Sequence, residues 1–232
     1  MTGALERRAY LLAGPTASGK SAIAAELARE MGAWILSADS MLVYRGMDIG
    51  TAKPPPEEIS EFHMGGVDLV TPAEEFSAGA WLRAAAGWAA TVPADVPIVI
   101  VGGTGLYFSA LLRGLDRRWE TPPPEYPVIR IDRAVVRGRI AARLDGMFMT
   151  GLDEEKRRLR AEYPVWSRTA SLAIGYREGD DREKILTRTY QLAKRQDTWF
   201  RHQATPLYVE PSAEAVRDCW RAHGPWTVRF LV

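Results

Sequence analysis

Gly14-Pro15-Thr16-Ala17-Ser18-Gly19-Lys20-Ser21 has the spacing G-x-x-x-x-G-K-[ST], the pattern of a loop that wraps a polyphosphate. Two glycines let the backbone curl so that successive N–H groups and the start of the next helix face an anion, and the lysine adds a mobile positive charge. Enzymes that act at the terminal phosphate of a nucleotide usually carry an acid at the end of a central strand to hold magnesium. The strand expected over 97–101 ends in Gly102-Gly103-Thr104 instead, which counts against a motor or switch ATPase. A kinase stays open, because Asp39 at the end of the preceding strand could take the magnesium. The other chemistry open to such a loop is to hold a diphosphate that leaves and is never attacked at phosphorus. Lys20, the loop amides and an arginine would then neutralise the departing group, and Asp39 would serve as general base or acceptor for an attacking amine.

These residues must be carried by alternating strands and helices. The runs 8–13, 33–37, 97–101, 128–131, 207–209 and 227–232 read as strands, with a weaker candidate at 67–70. Helical spacing covers 21–31, 77–90 with Ser77 as cap, 106–112, 134–149, 152–161, 182–200 and 213–222. Thr51 to Pro56 contains three prolines and reads as an extended surface loop. This rhythm predicts an α/β fold, a P-loop NTPase-like doubly wound parallel sheet with an appended helical part. Residues 1–121 and 203–232 would form the core, and 122–202 the helical part. Ligands of parallel sheets sit beyond the carboxyl ends of the strands, so Asp39 and the phosphate loop should share one crevice.

Charge separates the same parts. Residues 1–112 hold 7 Lys/Arg against 12 Asp/Glu, residues 113–201 hold 20 against 14, and the tail is balanced at 3 each. A basic segment beside an acidic nucleotide-binding type of segment points to a polyanionic partner, nucleic acid included, although salt-bridged helices read equally well from charge alone. No apolar run has membrane-spanning length and no signal pattern opens the chain, so a cytoplasmic protein is expected, and a monomer. The single cysteine, Cys219, reads as packing.

Six ordered motifs resemble the tRNA dimethylallyltransferases, which place a five-carbon isoprenoid on N6 of the adenosine 3′ of the anticodon. They are the phosphate loop, Ser37 to Pro54 (SADSMLVYRGMDIGTAKP), Gly102-Gly103-Thr104-Gly105-Leu106-Tyr107, Arg139 to Arg143, Ala173 to Glu178 (AIGYRE), and Ala193 to Arg201 (AKRQDTWFR). The resemblance implies that Asp39 accepts the N6 proton, that Thr104 lies at the reaction centre, and that Arg143 contacts the diphosphate. It places dimethylallyl diphosphate in the loop, with Ser21 near a Mg2+ cofactor. It assigns tRNA contacts to Asp39-Ser40-Met41-Leu42, to Thr104, to Leu172-Ala173-Ile174-Gly175-Tyr176-Arg177, and to Lys194-Arg195-Gln196-Asp197-Thr198-Trp199-Phe200-Arg201. Read alone, Arg143 would pair with Asp145 or Glu155, and Trp199 is as well suited to core packing as to stacking on a base.

The resemblance breaks after Tyr107. Members of that family usually carry a helical insertion that also touches tRNA, whereas here only Arg113 to Pro127 separates one helix from the next strand. Three alternatives arise: prenylation of a free adenine nucleotide, a catalytically silent RNA-binding protein that keeps the scaffold, and a small-molecule kinase. The retained 172–177 and 194–201 segments speak against the first.

Overall fold

The computed structural model describes residues 4–115 and 125–231 of the chain. Its centre is β1 (Ala4–Ala13), whose second half pairs in parallel with β3 (Ile98–Gly102) on one side and at Ala13 with β4 (Glu125–Ile129) on the other. β2 (Trp34–Ser37) extends the sheet beyond β3, and β5 (Thr205–Val209) extends it beyond β4, giving the parallel order β2-β3-β1-β4-β5. β6 (Trp226–Leu231) lies antiparallel to the first half of β1. Alternate side chains bury on opposite faces, as the two-residue period of a strand requires. Leu11, Leu36, Ile98 and Ile100 face a core completed by Trp81 and Phe108 from α3 (Ala78–Thr91) and α4 (Gly105–Arg113). Leu12, Ile35, Val99 and Val101 face Leu27 of α1 (Lys20–Met31) and Trp220 of α8 (Ala213–His223). Both faces are covered, so the strands read as continuous apolar runs, and the doubly wound sheet is as expected.

Register decides where the site forms. Ala13 aligns with Gly102, and Ser37 with Val101, so these strands stop level with one another. The turns after them, which carry the phosphate loop, Asp39 and Thr104, therefore emerge at one edge.

Three further helices stand over that edge. α5 (Arg133–Met149), α6 (Leu152–Glu162) and α7 (Arg182–Gln203) pack through Val136, Ile140 and Ala193 at one level and Leu144, Leu152 and Ile185 at another. α7 also inserts Phe200 into the main core beside Phe108, which ties the helical part to the sheet.

Three sequence expectations need correction. The strand read at 128–131 spans Glu125–Ile129 and sits inside the sheet between β1 and β5, so the core continues past 121 and the helical part begins at α5. Residues 67–70 form no strand; Tyr44 and Val70 make only an isolated bridge, and Asp68 has φ 51°, which breaks an extended path. Pro56 opens α2 (Pro56–Glu61) rather than closing a loop, since proline suits the first position of a helix, where no N–H partner is needed. The division expected between 121 and 122, at Pro122-Pro123-Pro124, lies outside the described residues.

Candidate active site

The phosphate loop is shaped by two glycines for two reasons. Gly19 has φ 93°, a left-handed conformation that side chains disfavour, and it turns the chain into α1. A Cβ on Gly14 would stand 3.0 Å from Ser18 Oγ and 3.2 Å from Ile129 Cβ, so a side chain there would crowd the loop against β4. Lys20, in the first turn of α1, is buried and donates from Nζ to the Pro15 carbonyl at 3.2 Å. Burial pulls its pKa down to about 8; the Asp39 carboxylate opposes that fall and the Arg143 guanidinium adds to it.

Two neighbouring turns complete the rim. Asp39 Oδ1 accepts from the Met41 N–H at 2.9 Å, which fixes the carboxylate in a short turn after β2. Thr104 Oγ1 accepts from the Ser40 N–H at 2.9 Å, and the Thr104 N–H donates to the Ala38 carbonyl at 3.1 Å, so the turns after β2 and β3 are laced together.

The arginines come from one stripe of α5. Arg139 and Arg143 are four residues apart and share a face, with Ile140 and Leu144 buried beside them. Arg143 Nη2 donates to Thr16 Oγ1 at 2.8 Å. Arg139 Nη1 donates to the carbonyls of Ser18 at 3.1 Å and Ala17 at 3.4 Å, tying α5 to two carbonyls of the loop. Among the described residues, the surface ion pairs open to Arg143 are absent. Asp145 is taken by Arg182 at 2.6 Å, and Glu155 accepts the N–H groups of Asp48, Ile49 and Gly50.

Between these parts lies a cleft of about 650 Å³, within the size range of small-molecule sites. Thr16, Asp39, Thr104 and Arg143 line one wall, and Leu172, Ile174, Arg188 and Arg195 the other. A polar recess of about 80 Å³ adjoins it, bordered by Lys20, Ser21, Asp39, Glu58 and Arg143. A second hollow of about 500 Å³ opens beside Ile49, Pro54, Ile59 and Met147. Arg143 borders all three. Lys20 and Arg143 stand in this corner with the carboxylates of Asp39 and Glu58, a polar recess beside an apolar hollow, an arrangement that can take an anion next to an apolar group.

The family model described as "IPP transferase" matches residues 42–130 and 120–203, and the one described as "Isopentenyl transferase" matches residues 7–64. The chain belongs to the IPP transferase family. A tRNA dimethylallyltransferase of Thioalkalivibrio sulfidiphilus is 35% identical over 278 residues, covering 83% of this chain and 87% of the relative. One from Stenotrophomonas maltophilia is 32% identical over 305 residues, covering 92% and 96%. The full-length tRNA isopentenylpyrophosphate transferase of Bacillus halodurans superposes with a TM-score of 0.76 at 23% identity, covering 93% of this chain and 94% of that one, and shares the fold. Alignments longer than this 232-residue chain leave a block of each relative without a counterpart here. The IPP transferase match itself comes in two pieces that meet at 120–130, which puts the missing block where the sequence spacing is short.

Within this IPP transferase the residues assigned to RNA do not share one surface. Lys194, Arg195 and Arg201 are exposed on α7, and Asp197, Thr198 and Trp199 are half-buried. Lys194, Arg195, Thr198, Trp199 and His202 border a groove of about 610 Å³ on the outside of that helix. Leu172 and Arg177 are exposed at the cleft mouth, and Ser40 and Met41 line the cleft, whereas Leu42 faces the small recess. Phe200, Ala173, Gly175 and Tyr176, also among the residues assigned to RNA, are buried. Tyr176 packs over Gly50, where a Cβ would stand 2.5 Å from the ring, and its hydroxyl donates to Glu155 Oε1 at 2.5 Å. Burial beside that carboxylate pushes the phenol well above its ordinary range.

Glu155 therefore joins the 48–50 turn to the 173–176 turn, both of which border the cleft. Tyr176→Phe should cost about 1–2 kcal/mol of stability, since a buried acceptor loses one of its donors. Urea denaturation measures this, and RNA affinity should be unchanged; a tenfold loss of RNA affinity would place Tyr176 in the interface. Sequence reasoning also passes over the individual roles of Arg139, of Glu155, and of Arg188, whose Nη1 donates to Oε1 of the buried Glu178 at 2.8 Å beside the cleft. The i,i+4 spacing of Arg139 and Arg143 is a usable signal; nothing local marks the other two.

Proposed function

We propose that this chain transfers a dimethylallyl group from dimethylallyl diphosphate to N6 of the adenosine 3′ of the anticodon in tRNA. The observation that carries the reading is that Lys20, Ser21, Asp39 and Arg143 border one small recess, which adjoins a cleft that Asp39 and Arg143 also line. The N6 amine attacks C1 of the isoprenoid, the C1–O bond breaks, and the diphosphate leaves with the bonding pair. Lys20, the N–H groups that open α1, and Arg143 neutralise the charge that develops on the leaving oxygen. Asp39 orients the amine and takes the proton it loses on alkylation. Thr104, held by Ser40, borders the point of attack. The adenosine leaves its stack to enter the cleft, at a smaller cost from a loop than from a duplex. Lys194, Arg195 and Arg201 meet the RNA backbone, and Trp199 offers an aromatic face in the groove beside them.

The residues fit a magnesium ion. Ser21 and Asp39 supply hard oxygen atoms to the small recess, and among the described residues no group of three or more His, Cys, Asp or Glu converges. Mg2+ is commonly bound through one or two protein oxygens together with substrate phosphates, so Ser21 would hold it with the diphosphate. When bound, it adds positive charge to the leaving group.

The test is a competition with labelled dimethylallyl diphosphate among an anticodon stem-loop bearing adenosine 3′ of the anticodon, the same loop with that base changed, and free AMP. Label on the first RNA alone is expected. Label on AMP alone would make the enzyme a nucleotide prenyltransferase.

Lys20 adds a pH dependence. Diphosphate binding favours the ammonium, and the free group titrates at about 8. Affinity for dimethylallyl diphosphate without RNA should hold below that pH and fall by up to about tenfold per unit above it, with proton uptake on binding. Calorimetry in two buffers of different ionisation enthalpy measures both; a flat profile to pH 10 would remove Lys20 from the anion site.

A further inference from the structure

Gln196 sits among the α7 residues that the motif assigns to RNA, yet both ends of its amide are already engaged inside the protein. Its Oε1 accepts from the Thr16 N–H at 2.8 Å, and its Nε2 donates to the Gly103 carbonyl at 3.0 Å. Thr16 is the third residue of the phosphate loop, and Gly103 immediately precedes Thr104. A side chain that accepts from one main-chain group and donates to another fixes the separation of the two turns, and the planar amide of Gln196 does both at once. One turn further along α7, the Trp199 ring lies where a Cβ on Gly105 would stand only 2.1 Å away, so the helix also presses on the residue after Thr104. Thr16 is held from two sides, its amide by α7 and its hydroxyl by Arg143 of α5.

We infer that Gln196 is a positioning residue of the diphosphate site, holding the mouth of the phosphate loop and the Thr104 turn at a fixed distance, and not a contact to RNA. Its helix carries the exposed Lys194 and Arg195 beside it, so the residues that face RNA and the residue that sets the loop belong to one rigid element. To reach RNA, Gln196 would have to leave an N–H and a C=O unpaired in a half-buried setting. The inference rests on the reaction proposed above for the identity of the anion, but not for the geometry.

The experiment compares the full-length wild type with Gln196→Met, an unbranched side chain of similar length that can make neither bond. Binding of inorganic diphosphate with magnesium is measured by calorimetry without RNA. Binding of the anticodon stem-loop is measured by fluorescence anisotropy without diphosphate, and kcat and KM are determined for both substrates. The expected result is a diphosphate dissociation constant raised about tenfold, a higher KM for dimethylallyl diphosphate with a lower kcat, and RNA affinity within twofold of wild type. Diphosphate affinity within twofold of wild type, or an RNA loss as large as the diphosphate loss, overturns the inference. If Gln196→Met does not fold, Gln196→Asn, which keeps the amide but is one methylene short of the bridge, is judged by the same criteria. Failure of both to fold makes Gln196 a folding residue and equally overturns it. A wild type that binds diphosphate yet labels no RNA would refute the proposed reaction while leaving this comparison readable.

Discussion

Asp39→Asn should lower kcat by roughly 10³-fold while leaving the affinity for an anticodon stem-loop within twofold of wild type. Asparagine keeps the volume, and its carbonyl oxygen can still accept from the Met41 N–H, so the turn after β2 survives. What goes is the negative charge that receives the proton of the alkylated amine. The same charge helps keep Lys20 protonated against its burial. The variant therefore carries a second signature: the loss of dimethylallyl diphosphate affinity with rising pH should begin below the wild-type value of about 8. A single-turnover assay with labelled donor reads the first effect, and calorimetry across pH reads the second. A kcat within threefold of wild type would remove Asp39 from the mechanism, and an unmoved profile would show that it does not act on Lys20.

How much of this is legible in the sequence depends on how local each cause is. Lys20, Ser21 and the two loop glycines are set by local backbone geometry, and the spacing alone announces them. β3 and the second half of β1 are buried on both faces, so their apolar runs identify them without any contact information. The first half of β1, with Glu6 and Arg8 exposed, does not read as such a run, and the strand begins at Ala4 instead of residue 8. β4 begins earlier than its sequence suggests because Pro127 lies inside it and reads as a terminator; it is tolerated between β1 and β5, paired opposite Leu207. Pro56 misleads in the opposite sense, since three prolines in a row hide the one that starts a helix.

The site residues divide on the same principle. Asp39 and Thr104 come directly after strands, and the parallel sheet brings strand ends together whatever the intervening lengths. The roles of Gln196 and Tyr176 depend on partners far away in sequence: Thr16 and Gly103 for one, Gly50 and Glu155 for the other. Motif membership places such residues near the site without saying which way they face. Of the residues in the two motifs from α7 and from 172–177, those buried against the sheet or a turn serve the scaffold, and those left exposed carry the charge that a polyanion would meet.

Arg143→Ala should lower kcat/KM for dimethylallyl diphosphate by roughly 10²–10³-fold, the scale of losing one preorganised donor at a developing charge. Its guanidinium belongs to the residue that borders the main cleft, the polar recess and the apolar hollow alike, where the diphosphate and its hydrocarbon would meet. Burial lowers its pKa, the Asp39 charge opposes that, and its hydrogen bond to Thr16 aims it at the loop. The effect on Lys20 should run opposite to that of Asp39→Asn. Arg143 is one of the causes depressing Lys20, so its removal should move the fall in donor affinity above about 8 even as the affinity itself weakens. Arg143→Lys retains a charge but not a planar fork able to hold Thr16 Oγ1 and a phosphate oxygen together, so it should recover only part of the loss. Opposite displacements of the pH profile in the two variants would establish that Asp39, Lys20 and Arg143 act as one electrostatic unit. Displacement in the same direction would mean that the substitutions act by loosening the loop, and that Arg143 is a scaffold residue with its guanidinium turned to Thr16 alone.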